Sequence, residues 1–231
     1  MHYARSWRFI FDSPHWLTNL LLMVLCGFVP VLGPLVMLGY HYAVVQSLHL
    51  SRDARYEDFN FDRLMAYLMR GVWPFLLHLI VIFPLMLTML LIWGIGAGLA
   101  AALVTETNAA VVVPLLIGAA MIVYLATLFV ALLIVVPMEL RFGLAQEFAL
   151  GAAWEFGSDF RRRVGRELAW SLVYNFLMGP LVLFAGALVC CVGMYPANEW
   201  LLLSHYHRVG QLYQLYLERG GTEVPLRVEA A

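Results

Sequence analysis

Apolar residues run in three long stretches along this chain, 16–50, 72–137 and 168–207, and the polar positions around them are built on arginine. The clusters are Arg5 and Arg8; Arg52, Arg55, Arg63 and Arg70; Arg141 with Arg161, Arg162, Arg163 and Arg166; and Arg208, Arg219 and Arg227. Basic segments favour the cytoplasmic face of a membrane. Each apolar stretch between clusters is therefore expected to cross an even number of times.

The middle stretch has the length for this. Residues 72–103 and 109–136 each exceed the roughly 20 residues a spanning helix needs. Thr105-Glu106-Thr107-Asn108 forms the polar turn between them, with Glu106 expected outside. Pro74, Pro84 and Pro114 are expected to kink these arms, which membrane helices tolerate when neighbours satisfy the freed carbonyls.

The first stretch is interrupted at Phe28-Val29-Pro30-Val31-Leu32-Gly33-Pro34, where proline removes a backbone donor and clashes with the preceding turn. Each half covers roughly 21–26 Å at the helical rise, short of a hydrocarbon core of about 30 Å. A short or re-entrant helical hairpin is expected over 16–50. The third stretch repeats the design over 168–217, with a helix from about Leu168, a break at Gly193-Met194-Tyr195-Pro196 and a more polar helix from about Asn198.

Both breaks contain Gly-x-x-Pro, and each following helix carries a polar stripe: Tyr42, Gln46 and His49 on the first, His207, Gln211 and Gln214 on the second. Spacing of i, i+4, i+7 puts each stripe on one helix face. Facing each other, the stripes would enclose a polar cleft for a lipid headgroup or small polar cargo; otherwise they face cytoplasmic water. The two hairpins also suggest a duplicated unit, running in the same sense relative to the arginines, which disfavours an inverted transporter repeat.

The remaining segments read as connections. Residues 1–15 are expected to be a cytoplasmic tail, 51–71 an interfacial segment, 138–167 an amphipathic linker and 218–231 a second tail. Arg5 and Arg8 precede an apolar run, but Asp12 and Pro14 interrupt the approach and no small-residue cleavage site follows, so a retained membrane segment is expected. Tyr56-Glu57-Asp58-Phe59-Asn60-Phe61 and Trp154-Glu155-Phe156-Gly157-Ser158-Asp159-Phe160 mix aromatic and acidic residues ahead of arginines. They suit the headgroup zone, or the docking of a protein partner.

Composition agrees with a membrane setting: 63% of residues are hydrophobic and 13% charged, against roughly 45–50% and about 25% in soluble domains. A formal charge of −1 gives no basic bias toward nucleic acid. Cys26, Cys190 and Cys191 lack metal-ligand or redox spacing and read as packing residues.

Several short motifs resemble the bacterial membrane proteins grouped as domain of unknown function 4013. They are Phe11-Asp12-Ser13-Pro14-His15-Trp16, the run from Pro30 through Gly39-Tyr40, Tyr56-Glu57-Asp58-Phe59, Cys190-Cys191-Val192-Gly193 and the run from His205 through Gln211-Leu212-Tyr213. The resemblance covers most of the chain and implies a polytopic helical membrane fold without implying an activity. Similar membrane domains fused to glycerophosphodiester phosphodiesterases imply a lipid-related setting, although this sequence carries no such catalytic domain.

Chemistry inside the apolar runs would rest on His41, His78, His205, His207, Glu139 and Glu199, since an intramembrane ionisable group is a functional candidate. Their spacing supplies no His-x-x-x-His or His-Glu-x-x-His ligand pair, and no phosphate loop or nucleophile elbow occurs. Gly94, Gly98 and Ala102 form a small-xxx-small row suited to close helix packing. The expectation is an all-α polytopic bundle of the bacterial cytoplasmic membrane, with about six embedded helices, the first and last pairs broken at Gly/Pro, and both termini inside. Its expected role is non-enzymatic: transporter-like, lipid-handling or accessory. No cofactor or metal is expected, membrane lipids are the expected partners, and an intramembrane enzyme or metal-binding protein using the histidines is the competing class.

Overall fold

The computed structural model describes residues 1–50, 56–103, 109–189 and 192–227. Thr105-Glu106-Thr107-Asn108, Arg52, Arg55, Cys190 and Cys191 lie outside the described residues. Among the described residues the chain is all helical: α1 Tyr3–Arg8, α2 Trp16–Gly27, α3 Leu32–Leu50, α4 Leu64–Leu77, α5 Phe83–Leu103, α6 Ala109–Ala145, α7 Leu150–Ala187 and α8 Met194–Glu218. Three helices are long and apolar enough to cross a membrane: Phe61–Gly98, Ala110–Ala145 and Leu150–Ala187. A fourth is added if Tyr3–Asp12 and Trp16–Gly27, bent by 96°, act as one span. Length and apolarity thus support three or four crossings where the arginine pattern predicts six embedded segments, because α2, at 12 residues, is too short by itself and α3 and α8, though 19 and 25 residues long, carry too many polar residues to qualify.

Local chemistry explains the irregular points. Between α4 and α5 the backbone widens into a π turn, His78–Ile82, in which the Phe83 amide bonds the His78 carbonyl. Pro84 follows at once and has no amide of its own to continue the ladder, so the register slips instead of breaking. α6 runs through Pro137 to Ala145, and α7 begins at Leu150 with a kink at Val164 (φ −130°, ψ 18°). The segment read as an amphipathic linker is therefore two helix ends meeting at a short turn. Pro34 and Pro196 are each the third residue of a helix, where a missing amide costs no hydrogen bond. They start α3 and α8. The register of these helix starts pairs Pro196 with Pro34, whereas the Gly-x-x-Pro alignment pairs it with Pro30.

The core lies at the arginine-bearing end. α3, α4, the last turns of α6, the first half of α7 and most of α8 contribute its buried side chains. α6 contributes none before Val135, and α5 contributes none among its described side chains. Those arms are apolar on all sides, as a helix facing hydrocarbon should be.

Residues 1–15 are folded, not a loose tail. The Trp7 indole N–H donates to Tyr174 Oη at 2.7 Å, and the Trp200 indole N–H donates to the Trp7 carbonyl at 3.0 Å. Tyr56 and Phe59, read as headgroup anchors, are buried with Phe9, Tyr40 and Tyr67. Ser13 Oγ and Asn19 Nδ2 (2.7 Å) both donate to Asp58, Asn19 Oδ1 accepts from the Phe59 amide at 3.1 Å, and Tyr40 Oη donates to the Glu57 carbonyl at 2.6 Å. This segment is tied into the bundle by its polar groups while its rings fill the core.

Arg208, grouped with the cytoplasmic arginines by sequence, is fully buried. Its guanidinium donates to Ser204 Oγ at 2.7 Å and to Asn175 Oδ1, and lies 5.1 Å from the Tyr174 ring centroid. It is an interior polar strut between α7 and α8. Arg70 is buried too; with the Gln146 amide oxygen turned toward it, Nε and Nη2 each donate at 3.2 Å.

Candidate functional site

Between α3, α4 and α8 lies a cavity of about 940 Å³. Its walls are mainly apolar, from side chains such as Met37, Phe75 and Leu202, and its polar groups are His41 of α3, His78 at the start of the π turn, and Asn198, Glu199 and Tyr206 of α8. Glu199 and Tyr206 stand seven residues apart, two helical turns, and so share a face of α8. At the rim the exposed rings of Phe28 and Tyr195, from the α2–α3 and α7–α8 turns, lie 5.2 Å apart.

Two of these polar groups stand out by what they lack. His41 is 1% exposed and Glu199 4%. Among the described residues neither ring nitrogen of His41 has a hydrogen-bond partner, and Glu199 Oε2 has none. The other carboxylate oxygen, Oε1, accepts from Asn198 Nδ2 at 3.3 Å. Buried polar atoms are nearly always paired, and each exception calls for an explanation.

A polar chain continues behind His41. The imidazole stacks on Tyr206 with centroids 4.6 Å apart; Tyr206 Oη donates to Glu139 Oε1 at 2.9 Å; Glu139 Oε2 lies 3.8 Å from His78 Nε2; and His78 Nδ1 is 2.9 Å from the Pro74 carbonyl. Four of the six ionisable residues nominated from sequence, His41, His78, Glu139 and Glu199, thus gather around one cavity. The other two do not. His205 Nδ1 accepts from Asn175 Nδ2 at 2.6 Å, and His207 Nδ1 lies 3.0 Å from Ser6 Oγ. Among the described residues no three His, Cys, Asp or Glu side chains are placed to hold a metal ion.

The two predicted stripes are on neighbouring helices but do not form one cleft. Gln214 Nε2 donates to the Leu48 carbonyl at 3.1 Å, which joins α8 to α3. Tyr42 and Gln46 are buried, and His49 Nε2 lies 2.9 Å from Glu223 Oε1. His207, Gln211 and Gln214 instead line a cleft of about 300 Å³ with His2, Arg5 and Leu48. Gln211 Oε1 accepts from the His2 amide at 2.7 Å. The N-terminal helix occupies the place expected for the α3 stripe. Burial, reinforced by Arg5 and Arg208, lowers the His207 pKa from 6.5 to about 4.

The predicted small-residue row is not a contact. Among the described residues, no atom beyond the helix's own backbone comes within 4 Å of a Cβ built on Gly94 or Gly98, and the Ala102 side chain is outside the described residues. The close approach is between α3 and α4, at Gly39 and Gly71. Glycine inside an apolar helix, Gly39 well past the start of α3 and Gly71 in α4, was the available signal. Tyr206, which links His41 to Glu139, was missed because tyrosine near a membrane surface ordinarily reads as an anchor.

A family model described as "Protein of unknown function (DUF4013)" matches residues 21–191. No curated protein and no solved structure matches the chain.

Proposed function

The chain belongs to the DUF4013 family, and on that premise we propose that it is a non-enzymatic, lipid-handling membrane protein that holds an amphipathic molecule in the cavity between α3, α4 and α8. The observation that carries this reading is the pairing of an apolar cavity of about 940 Å³ with two buried polar side chains in its lining, His41 and Glu199, whose ring nitrogens and Oε2 have no hydrogen-bond partner among the described residues. Binding sites commonly combine an apolar wall with a few convergent polar groups. An amphiphile would satisfy both parts at once.

The orientation supports access from the bilayer. With the arginine-bearing ends on the cytoplasmic side, and α3 and α8 as the return arms of the α2–α3 and α7–α8 hairpins, both termini lie inside, in a bacterial cytoplasmic membrane. The 12 residues of α2 extend about 18 Å at the helical rise, so the α2–α3 turn ends within a hydrocarbon layer about 30 Å thick. The residues at that turn, Phe28, Val29, Val31 and Leu32, are exposed and apolar, as a re-entrant tip in lipid would require. The rim of the cavity would then open toward lipid tails.

Native mass spectrometry of the full chain, released from nanodiscs, tests the reading. Wild-type protein is expected to retain about one amphiphile per chain, and Met37→Trp, which narrows the cavity, is expected to retain less. Equal retention by a folded Met37→Trp variant would refute the site.

A further inference from the structure

We infer that the molecule held in this cavity carries a positive charge, so that its chemical class is a lipophilic organic cation. The inference rests on the amphiphile-binding reading and adds the charge of the ligand to it.

The charge follows from the inventory of the cavity. Glu199 is buried in the wall and presents Oε2 with no partner among the described residues. The chain's basic residues are all arginine, and no arginine is among those lining this cavity. Among the described residues the wall's basic groups are the imidazoles of His41 and His78, of which His78 faces Glu139 at 3.8 Å, and none is bonded to Glu199. A buried carboxylate in apolar surroundings either takes a proton or requires a cation, and the rings of Phe28, Phe75, Tyr195 and Tyr206 line the same space. Aromatic faces attract cations and offer nothing comparable to anions. His41, when neutral, adds one acceptor nitrogen.

An anionic headgroup finds the reverse. A phosphate entering the cavity would meet the Glu199 carboxylate with only imidazole and amide donors to offset it. The arginines that could bind phosphate lie elsewhere: Arg5 beside the His207 cleft, and Arg208 locked against Ser204 and Asn175. Uptake of an organic cation would pair Glu199 Oε2 and cover the aromatic wall together.

Tetraphenylphosphonium and tetraphenylborate, ions of the same shape and opposite charge, separate the possibilities. Equilibrium dialysis would measure both against the full chain in phosphatidylcholine nanodiscs, with protein-free nanodiscs subtracted. The phosphonium is expected to bind stoichiometrically and the borate to stay at the protein-free level. Glu199→Gln is expected to weaken phosphonium binding by about tenfold or more, the usual scale for losing a charged partner, and Met37→Trp, which narrows the cavity, to weaken it as well. Equal binding of the two ions, or undiminished phosphonium binding by Glu199→Gln, overturns the inference while leaving an amphiphile site in place. If native mass spectrometry shows an amphiphile depleted in Met37→Trp yet no phosphonium binds wild type, the cation assignment alone fails. If no amphiphile is retained and neither ion binds, both readings fail.

Discussion

Gly39 of α3 and Gly71 of α4 face each other where the two helices touch backbone to backbone. A Cβ built on Gly71 would stand 1.8 Å from the Leu35 carbonyl oxygen and 3.0 Å from the Gly39 nitrogen, and one on Gly39 would stand 1.7 Å from the Tyr67 carbonyl oxygen. Backbone atoms cannot swing aside as a flexible side chain can, so any side chain at either position must separate the helices. This contact sets the spacing between the wall that carries His41 and the wall that carries Phe75 and His78.

Gly71→Ala and Gly39→Ala are each expected to destabilise the bundle by about 1–3 kcal/mol or more, the usual range for overpacking. Gly98→Leu is expected to be tolerated, since among the described residues no neighbouring element lies within 4 Å of its added Cβ. Thermal melting in detergent compares the three. Wild-type stability for Gly71→Ala would mean the helices do not touch there.

Val31 occupies the left-handed region at φ 65° in the turn between α2 and α3. For a β-branched residue this conformation costs roughly 1–2 kcal/mol, and glycine adopts it freely. Val31→Gly is therefore expected to raise the melting temperature, by the equivalent of about 1 kcal/mol once glycine's extra chain entropy is deducted. Val31→Ile is expected to leave it unchanged. A lower melting temperature for the glycine variant would place Val31 outside the left-handed region.

Asn19, only 2% exposed, uses both ends of its amide on the segment after α3. Asn19→Ala would leave the Phe59 amide without this buried acceptor and Asp58 without one donor, a loss of about 1–3 kcal/mol. Hydrogen–deuterium exchange is expected to rise over residues 56–60 and to stay constant across the packed faces of α7 and α8. Unchanged exchange at Phe59 would count against the hydrogen bond.

His207 provides a pH dependence whose sign is determined. Its pKa is about 4 when folded against 6.5 for the ordinary group, so between those values the unfolded chain binds the extra proton and stability falls as pH falls. The contribution is complete above about pH 6.5 and lost as pH falls through about 4, on the order of 3 kcal/mol. His207→Gln, which can keep a bond to Ser6, is expected to show a shallower fall in melting temperature over that window. Identical slopes for the two proteins would remove His207 as a source.

The apolar runs and the arginines between them were enough to determine a helical membrane protein, because burying so much hydrocarbon surface requires a bilayer whatever the tertiary arrangement; the family was legible in short motifs such as Tyr56-Glu57-Asp58-Phe59. The same pattern picked out His41, His78, His205, His207, Glu139 and Glu199 as unusual, since ionisable groups are costly in apolar surroundings wherever their helices pack. Tertiary structure decided which of them meet. Periodicity places Glu199 and Tyr206 on one face of α8, but it contains no term for the helix opposite, and only the packing of α3 and α4 turns that face into a cavity wall. For the same reason the polar stripe of α8 was legible while its partner was not: His207 and Gln211 are covered by α1, a six-residue helix whose position depends on the Trp7 contacts with Tyr174 and Trp200. Gly39 and Gly71 mattered more than the regular row at Gly94 and Gly98 because a missing side chain becomes a contact only where another backbone arrives, and that is settled by the crossing of two helices in space.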